Sequence, residues 1–312
     1  MHKVFIDGQA GTTGLEIASR IKSRGDIELL EIPEAERKEP ASRRAYVDAA
    51  DLTILCLPDA AAREAVALAP SARILDASTA HRTADGWVYG LPELEGEATR
   101  DAIRDAPKVS NPGCYPTGFI LLVRPLIDAG IVSPELPLRV NAVSGYSGGG
   151  KAMIAEYSAR DEPDWRVRPY GLQLAHKHVP EMRRYAGTRR APLFAPMVGH
   201  FFKGMLTQVP LFLDELENGA NAADVCEALT ERYAGEPFVR VLPLGAECAQ
   251  NAGFLGATAC NDSNRIELMV FAGPEHLLLS ARYDNLGKGA AGAAVQNMNL
   301  MLGVEETAGL TA

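Results

Sequence analysis

The sequence predicts a two-domain α/β protein, with a Rossmann-like, doubly wound dinucleotide domain and an α+β domain built on a mixed sheet. In the first 110 residues, apolar strand segments alternate with helical segments, which is typical of a parallel sheet covered by helices on both faces. A glycine-rich turn joins the first strand to the first helix. Beyond residue 130, strand segments follow one another with few helices between them, as in an α+β domain.

The elements of the first domain follow from their apolar periodicity. Strands are expected at 3–7, 27–32, 52–58, 73–77 and 108–110, and helices after the glycine turn, at 41–50 and at 60–69. The segment 52–58 is almost entirely apolar, as a strand covered on both faces should be. A last helix, running to about Leu302, carries small residues that permit close packing, and we expect it to return to this domain.

The turn after the first strand is the candidate for cofactor binding. Gly8, Gly11, Thr12, Thr13 and Gly14 lie between a strand and a helix. Glycines at such a turn let the backbone approach a pyrophosphate, whose charge is met by the helix N-terminus. The spacing of the glycines is GxxGxxG, whereas the usual dinucleotide-binding fingerprint is GxGxxG. The alternative to a cofactor site is a glycine turn that only connects a strand to a helix. We predict a dinucleotide site here.

The residues after the second strand bear on the choice of dinucleotide. An acidic side chain at this place favours NAD, whereas basic side chains accommodate the 2′-phosphate of NADP. Glu34 and Glu36 are followed by Arg37 and Lys38, so both kinds are present. The two cations favour NADP, and a solvated loop is the alternative.

Cys114 is the predicted nucleophile. It follows a short strand and a Pro-Gly turn and precedes an apolar helix that ends near Gly130. Its thiol is therefore expected beside a helix N-terminus, where the macrodipole and unpaired N–H groups favour the thiolate. The domain boundary falls close to it, and ligand sites concentrate between domains. The alternative is a small buried hydrophobe, which is our interpretation of the other cysteines: Cys56, Cys226, Cys248 and Cys260.

The second domain is expected to contain strands at 138–143, 193–198, 205–212, 238–242, 265–271 and 277–283, with one clear helix at 222–233. Two polar stretches in this domain are predicted to be loops. The stretch 144–151 combines Ser144, Gly145 and Lys151 with a flexible backbone that could surround an oxyanion with N–H groups, or act as a mobile linker. The stretch 175–182 carries two histidines.

A histidine near Cys114 would complete a thiolate–imidazolium pair of the kind that cysteine enzymes use. His176 and His178 are the first candidates, and His200 is a weaker one. No metal site is expected, because no carboxylate or cysteine cluster completes a ligand set around the two histidines.

Arg82 follows a strand of the first domain, at the edge where such sheets bind ligands. It is either an anchor for an anionic substrate or a surface charge.

The composition is that of an ordinary globular protein and narrows the possible partners. The chain has 312 residues, of which 47% are hydrophobic and 23% charged, and a net charge of −9, which opposes nonspecific nucleic-acid binding. Without a membrane-length apolar run or a signal-peptide pattern, a cytoplasmic protein without a membrane partner is expected. Five cysteines without CxxC spacing argue against disulfides and structural zinc.

Five motifs together resemble the N-acetyl-gamma-glutamyl-phosphate reductases, in particular the shorter of the two forms of that family. The family belongs to the superfamily of glyceraldehyde-phosphate and aspartate-semialdehyde dehydrogenases. The motifs are SNPGCYPT at 110–117, YGLPE at 89–93, SGYSG at 144–148, HKHVPE at 176–181 and DNLGKG at 284–289. The resemblance covers essentially the whole chain, and the first and last motifs are the most specific.

The resemblance implies an oxidoreductase of arginine biosynthesis. The reaction would be the NADPH-dependent reductive dephosphorylation of N-acetyl-L-glutamyl 5-phosphate to N-acetyl-L-glutamate 5-semialdehyde, through a thioester on Cys114. A histidine of the 176–178 pair, with His178 favoured, would hold the thiolate and protonate the developing alkoxide. His200 stays open as the acid–base residue, because aspartate-semialdehyde dehydrogenases place theirs at a similar point. The longer form has an Asp-Phe-Arg-type segment where this chain has Ala80-His81-Arg82.

We therefore expect an NADP-binding domain of residues 1–113 with 286–312, a catalytic and oligomerisation domain of residues 114–285, and a homodimer or homotetramer. Ser78 and Asn285 are expected to contact the cofactor along with the glycine turn and Arg37. The substrate contacts are expected from Arg82, Ser144, Gly145 and Lys151. The alternatives are an acyl-phosphate reductase like aspartate-semialdehyde dehydrogenase, a cysteine hydrolase or acyltransferase without a nucleotide, and a noncatalytic dinucleotide-sensing regulator.

Overall fold

The computed structural model describes residues 1–160, 162–246 and 251–312, and the chain divides into two compact units. The first contains Met1–Gly113 and Ala290–Thr311, and the second contains Cys114–Gly289 with Ala312. The chain therefore passes from the first unit into the second between Gly113 and Cys114. The predicted fold class is confirmed, because one unit is built on a parallel sheet with helices and the other on a mixed sheet.

The first unit is built from a six-stranded sheet and its connecting helices. Its strands are β1 (His2–Asp7), β2 (Ile27–Leu30), β3 (Leu52–Leu55), β4 (Ile74–Asp76), β5 (Val88–Tyr89) and β6 (Lys108–Ser110). Its helices are α1 (Thr12–Ile21), α2 (Pro40–Ala49), α3 (Asp59–Leu68), α4 (Glu97–Asp105) and α9 (Gly292–Leu302). All neighbouring strands are parallel, in the order β2-β1-β3-β4-β6-β5.

The core of the first unit forms where the sheet packs against α1 and α9. All four residues of β3 are buried, which agrees with its nearly all-apolar sequence. Helix α1 buries Ile17, Ala18 and Ile21, the stripe expected from a period of 3.6 residues. These side chains join one cluster with Val295 and Met298 of α9, so the C-terminal helix is part of the first unit.

The strand order of this sheet reverses between β1 and β3, because β2 lies on the far side of β1. In open α/β sheets, ligands bind outside the carboxyl ends of the strands at such a reversal. The loops that leave the two strands are in close contact, since a Cβ on Gly8 would lie 2.4 Å from the carbonyl oxygen of Cys56. The glycine turn therefore lies at the edge of the sheet where a ligand site is expected.

Within the described residues, the second unit has a seven-stranded sheet and four helices. Its strands are β7 (Arg139–Gly145), β8 (Val167–Pro169), β9 (Leu193–Gly199), β10 (Met205–Phe212), β11 (Val239–Val241), β12 (Ile266–Ala272) and β13 (His276–Tyr283). Its helices are α5 (Cys114–Asp128), α6 (Gly150–Ser158), α7 (Val179–Ala186) and α8 (Ala222–Arg232). The order is β11-β12-β13-β10-β7-β9-β8, with parallel β11–β12 and β7–β9 pairs and antiparallel pairs elsewhere.

Helix α5 is the central element of the second unit. It packs against α7, α8, β10 and β13, and its residues are buried from Tyr115 through Val123. A helix that is apolar on all sides is one that is covered on all sides. Its first residue, Cys114, is only partly buried. Core packing therefore fixes the helix and leaves the cysteine accessible at its end.

The structure differs from the prediction in several short elements. α6 and α7 occupy part of the two stretches predicted as loops, and the prediction lacks α4, β5 and β8. α6 begins at Gly150, after two further glycines, and Pro180 stands in the first turn of α7. Glycine and proline usually indicate turns, although proline is also favourable at the start of a helix. The glycines at the start of α6 and Pro180 in α7 are the reason why both stretches were predicted to be loops.

Three of the cysteines other than Cys114 lie in the described part of the chain, and all three are at least partly buried. Cys260 is buried, whereas Cys56 and Cys226 are partly buried. Burial raises the pKa of the Cys56 thiol to about 12 and that of Cys260 to about 11, so both are protonated at neutral pH and poor nucleophiles. Cys248, also expected to be structural, lies outside the described residues.

Among the described helices, none has both the length and the apolar character that crossing a membrane requires.

Candidate active site

Cys114 is the first residue of α5 and directly follows the Asn111-Pro112-Gly113 turn after β6. The helix begins at the cysteine rather than beside it, so the residue belongs to the first helical turn, whose N–H groups have no acceptor within the helix. No acidic side chain stands in that turn. A thiolate at this position would be close to the positive end of the helix macrodipole.

The next residue, Tyr115, connects the cysteine with the histidine segment. Its buried ring lies 6.1 Å from His176, 5.9 Å from His178 and 5.0 Å from Phe194, centroid to centroid. The hydroxyl of Tyr170 donates to the Tyr115 hydroxyl at 3.0 Å, and burial raises the pKa of Tyr115 well above its usual value. Both predicted histidines therefore lie against the side chain adjacent to Cys114.

The two histidines of this segment differ in role. His178 is buried and occupies the N-cap position of α7, and its backbone N–H donates to His176 Nδ1 at 3.2 Å. Since that nitrogen accepts, a neutral His176 ring carries its proton on Nε2. Burial, and then the charge of Lys177, lower the pKa of His176 to about 4. His176 is therefore neutral near pH 7.

His200 belongs to a different aromatic group. Its ring lies 6.0 Å from that of Tyr146 and 5.8 Å from that of Tyr157, centroid to centroid, and its backbone N–H donates to the carbonyl oxygen of Arg166 at 2.9 Å. The described contacts therefore group His200 with Tyr146 and Tyr157, and group His176 and His178 with Tyr115.

The stretch 144–151 is not the predicted loop. Ser144 and Gly145 end strand β7, and Lys151 is exposed in the first turn of α6. The N–H groups of residues 145, 146 and 147 donate to carbonyl oxygens of the turn between β9 and β10, at 2.9–3.0 Å. The prediction that this backbone surrounds an oxyanion, or is a mobile linker, is therefore wrong for 145–147. The Ser144 hydroxyl donates to the Gly145 carbonyl oxygen at 3.1 Å, and Ser144 is close enough to Tyr115 to act on the pKa of that phenol, which it lowers.

Arg82 and Ser78 lie after β4 in the first unit. Arg82 is buried and donates from Nε to the carbonyl oxygen of Asn111 at 2.9 Å and from Nη2 to that of Ala77 at 3.2 Å. The alternative of a surface charge is therefore wrong. The Ser78 hydroxyl donates to the buried carboxylate of Asp76 at 2.7 Å. Both side chains make hydrogen bonds within the first unit.

The glycine turn has the features of an anion site. Gly8 adopts φ +88°, and a Cβ on Gly14 would lie 2.8 Å from the Gly8 carbonyl oxygen, so neither position accepts a side chain without strain. Gly11 is the N-cap of α1 without a capping side chain, and the first turn holds no acidic residue. Thr12 Oγ1 is buried without a hydrogen-bond partner. An oxygen of a bound phosphate would supply that partner.

The residues that follow β2 give a weaker indication. Arg37 is exposed after the short 3₁₀ turn Glu34–Glu36, and Lys38 is exposed beside it. A residue missed at the sequence level is Arg43 of α2, which donates to the Asp7 carboxylate at the end of β1 at 2.6 Å. The spacing of 36 residues hid this pair, because only the packing of α2 against β1 brings them together.

Two further side chains come from the end of β13 and from the segment that follows it. The Asn285 side chain donates to Ser147 Oγ at 2.9 Å and accepts from the Gly204 N–H at 2.8 Å. Tyr283 donates to the Cys114 carbonyl oxygen at 2.7 Å. Tyr115, Tyr170 and Tyr283 escaped the sequence-level prediction. The sequence offered a signal for two of them only: Tyr115 directly follows Cys114, and Tyr283 directly precedes the DNLGKG motif.

The fold and the site together define a member of the semialdehyde dehydrogenase class. Residues 114–285 match the family described as "Semialdehyde dehydrogenase, dimerisation domain". The chain is similar in fold to aspartate semialdehyde dehydrogenase II from Vibrio cholerae, with a TM-score of 0.69 and 15% identity over 97% of this chain and 98% of that one. A second structure, from Francisella tularensis, gives a TM-score of 0.70 and 13% identity over 97% and 100%. At these identities the likeness concerns the fold alone.

Sequence relatives identify the family. The chain is 50% identical to N-acetyl-gamma-glutamyl-phosphate reductase 2 of Nostoc sp., over 99% of both chains. It is 52% identical to N-acetyl-gamma-glutamyl-phosphate reductase of Sinorhizobium fredii, over 96% of this chain and 98% of the relative. The chain belongs to the N-acetyl-gamma-glutamyl-phosphate reductase family, as its motifs predicted.

Proposed function

We propose that the chain is an NADP-dependent oxidoreductase of arginine biosynthesis that reduces N-acetyl-L-glutamyl 5-phosphate to N-acetyl-L-glutamate 5-semialdehyde with release of phosphate. The observation that carries this proposal is Cys114 as the first residue of α5, with His176 and His178 packed on the adjacent Tyr115. Relatives at about half identity over nearly the full chain, named for this activity, support the same substrate. The alternative is an acyl-phosphate reductase like aspartate-semialdehyde dehydrogenase, favoured only by fold similarity at 13–15% identity.

The two units would have different roles, one in cofactor binding and the other in catalysis. The first unit, with its parallel sheet and glycine turn, is proposed as the NADP-binding domain, and the second as the catalytic and oligomerisation domain. The match of residues 114–285 to a dimerisation domain family supports a homodimer or homotetramer. The sequence predicted 1–113 with 286–312 against 114–285 for these roles, and we assign them to the two compact units, which divide at Gly113/Cys114 and at Gly289/Ala290.

The residues of the glycine turn fit a dinucleotide. Gly8 and Gly14 would permit the tight turn, and Gly11 would let the pyrophosphate approach the backbone. The unpartnered Thr12 Oγ1 and the first N–H groups of α1, including that of Thr13, would donate to it. The exposed cation Arg37 would meet a 2′-phosphate, while Ser78 and Asn285 remain proposed contacts. When bound, NADPH supplies the hydride for the reduction.

Cys114 would carry out the first chemical step. Its thiolate attacks the acyl carbon, the new C–S bond forms, and the bond from that carbon to the phosphate oxygen breaks, so that phosphate leaves and a thioester remains. After hydride addition to the thioester carbon, the thiohemiacetal collapses to the aldehyde and releases the thiol. The start of α5 suits this role because the helix N-terminus stabilises the thiolate that leaves in the last step.

His178 is the favoured acid–base residue. It is buried against Tyr115 and would hold the thiolate as an ion pair, then donate a proton to the developing alkoxide. The lowered pKa of His176, about 4, leaves that ring neutral and makes it a poor source of an imidazolium at pH 7. His176 would orient the segment by accepting the His178 N–H. His200 is disfavoured, because its contacts lie with Tyr146 and Tyr157.

The anionic groups of the substrate need local partners, because the chain carries a net charge of −9. Arg82, Ser144, Gly145 and Lys151 are retained as proposed substrate contacts. Among them, Ser144 has the strongest support, because it is close enough to Tyr115, the neighbour of Cys114, to lower the pKa of that phenol. Gly145 has the least support, because its N–H donates to the Gly204 carbonyl oxygen and the Phe202 carbonyl oxygen lies 2.6 Å from where its Cβ would be.

The reverse reaction tests the proposal. Purified protein is given NADP⁺, phosphate and either N-acetyl-glutamate semialdehyde or aspartate semialdehyde, and NADPH formation is followed by absorbance. Turnover that requires phosphate and the acetylated aldehyde is expected, with NAD⁺ the poorer oxidant. Preference for aspartate semialdehyde would support the alternative. Binding of NADPH without turnover of either aldehyde would indicate a dinucleotide-sensing regulator.

A further inference from the structure

The phenol of Tyr283 enters the first turn of helix α5. Tyr283 is the last residue of β13 and is fully buried, and its Oη donates to the Cys114 carbonyl oxygen at 2.7 Å. The same Oη accepts from the N–H of Gly118 at 3.3 Å. In a regular α-helix this carbonyl and this N–H form the hydrogen bond of the first turn. The phenol therefore bridges the two backbone groups and ties the start of the helix to the sheet.

Thr207 of β10 holds this phenol in place. Met205 pairs directly with Tyr283 across the two strands, so Thr207 is a diagonal neighbour on the same face of the sheet. Its Oγ1 lies 2.9 Å from Tyr283 Oη. A phenol has one proton, and Tyr283 gives it to the Cys114 carbonyl, so Thr207 must be the donor. Burial raises the pKa of Tyr283 well above its usual value, so the phenol stays protonated and remains a donor.

Two glycines make room for this arrangement. A Cβ on Gly118 would lie 2.7 Å from Tyr283 Oη and 3.0 Å from Thr207 Cβ. Glycine is unfavourable inside a helix, and the space that the phenol needs explains why it is present here. On the other side, a Cβ on Gly289 would lie 3.0 Å from Cys114 Cβ. The residue before the DNLGKG motif and its last residue therefore both lie against Cys114.

We infer that Tyr283, held by Thr207, is a positioning residue for the Cys114 nucleophile. The inference rests on the proposed function, because it assumes that Cys114 is the reacting group. Helix ends fray, and an error of about 1 Å in the position of a reacting atom can cost about a hundredfold in rate. By tying the Cys114 carbonyl to β13, the phenol fixes the backbone from which the thiol projects. Tyr283, directly before the DNLGKG motif, then contributes to catalysis by fixing the position of the cysteine.

A matched control separates positioning from ordinary stabilisation. Tyr233 is also buried, and its hydroxyl donates to the carbonyl oxygen of Leu121 on the same helix at 2.7 Å. Tyr283→Phe and Tyr233→Phe each remove one buried phenol hydrogen bond to an α5 carbonyl, at the first turn and seven residues further on. Tyr283→Phe should lose at least as much thermal stability as Tyr233→Phe, because the Tyr283 phenol also accepts from the Gly118 N–H and the Thr207 hydroxyl. Only Tyr283→Phe should lower kcat, by about tenfold to a hundredfold, with KM within about twofold of wild type.

The measurement is kcat and KM in the reverse assay, together with the rate at which iodoacetamide alkylates Cys114. Unchanged kcat in Tyr283→Phe, or an equal loss in Tyr233→Phe, would overturn the positioning role. Should Tyr283→Phe fail to fold, Thr207→Val removes the supporting donor and keeps the phenol, and a kcat reduced severalfold at constant KM is then required. Wild-type activity in Cys114→Ser would instead overturn the proposed function, so the two failures are distinguishable.

Discussion

The junction between β1 and α1 and the junction between β6 and α5 have the same local form and differ in what surrounds the helix start. At the first, the helix begins after Gly11 without a capping side chain, and Thr12 Oγ1 has no hydrogen-bond partner. At the second, the first turn begins with Cys114 and is filled by the Tyr283 phenol. The first junction is open to an external anion, whereas the second is occupied by the protein itself.

The difference shows how one property of helices supports two roles. A helix N-terminus offers unpaired N–H groups and a positive dipole end wherever it occurs. With glycines and an unpartnered hydroxyl around it, it suits a phosphate ligand. With a thiol on its first residue and its geometry fixed by Tyr283 and Gly289, it suits a nucleophile. The surrounding residues decide which role the helix start serves.

Removing the thiol should have the largest effect. Cys114→Ser keeps the shape of the side chain but offers a far weaker nucleophile, so kcat in the reverse assay should fall by roughly a thousandfold or more. The midpoint of urea unfolding should stay close to that of wild type, because Cys114 is only partly buried. Substantial activity in the folded variant would remove Cys114 from the mechanism.

Two substitutions in the glycine turn separate folding from cofactor binding. Gly8→Ala combines a positive φ of +88° with a Cβ 2.4 Å from the Cys56 carbonyl oxygen, so it should destabilise the fold by about 2–4 kcal/mol. Gly11→Ala brings its Cβ to 3.3 Å from the Gly8 carbonyl oxygen, a milder contact at an N-cap where alanine is less favourable than glycine, and should cost only about 1 kcal/mol. It should nevertheless weaken NADPH binding by about tenfold, because the pyrophosphate approaches the backbone here.

Urea unfolding and fluorescence titration with NADPH give the two quantities for both variants. Undiminished NADPH affinity in Gly11→Ala would mean that the open junction is not the pyrophosphate site.

Gly118→Ala tests the crowding at the second junction through the sign of its effect. Helix propensity alone predicts that alanine stabilises an α-helix over glycine by about 1 kcal/mol. The contact of 2.7 Å between the added Cβ and Tyr283 Oη instead predicts destabilisation by about 1–3 kcal/mol. The free energy of unfolding in urea measures the result. A more stable variant would show that the phenol does not occupy the first turn.

The smallest expected effect is a pH dependence carried by His176. Its pKa is lowered from 6.5 to about 4 in the folded protein, first by burial. The unfolded state therefore binds the proton more readily, and stability present above pH 6.5 is lost as the pH falls towards 4. His176→Asn should remove this part of the dependence. Urea unfolding of both proteins between pH 7 and pH 4 makes the comparison, and parallel curves would contradict the buried neutral ring.

The same comparison explains what the sequence could and could not predict. The glycine turn and the start of α5 each depend on a few consecutive residues, so strand, turn and helix were predicted correctly, as was the nearly all-apolar β3. Tyr283 lies 169 residues from Cys114, and only the pairing of β10 with β13 brings its phenol and Thr207 to the helix. The N–H groups of residues 145–147 looked available because their acceptors, in the turn between β9 and β10, are also distant in sequence, 55 to 59 residues further on.

The most direct test of Cys114 as a thioester-forming nucleophile is a rapid-mixing measurement without phosphate. Enzyme is mixed with N-acetyl-glutamate semialdehyde and NADP⁺, and NADPH absorbance is followed together with the mass of the protein. Oxidation of the thiohemiacetal should yield a burst of about one NADPH per active site, then stop, with the acyl group on Cys114 until phosphate is added. Steady turnover without a burst, or an acyl group on another residue, would contradict the account.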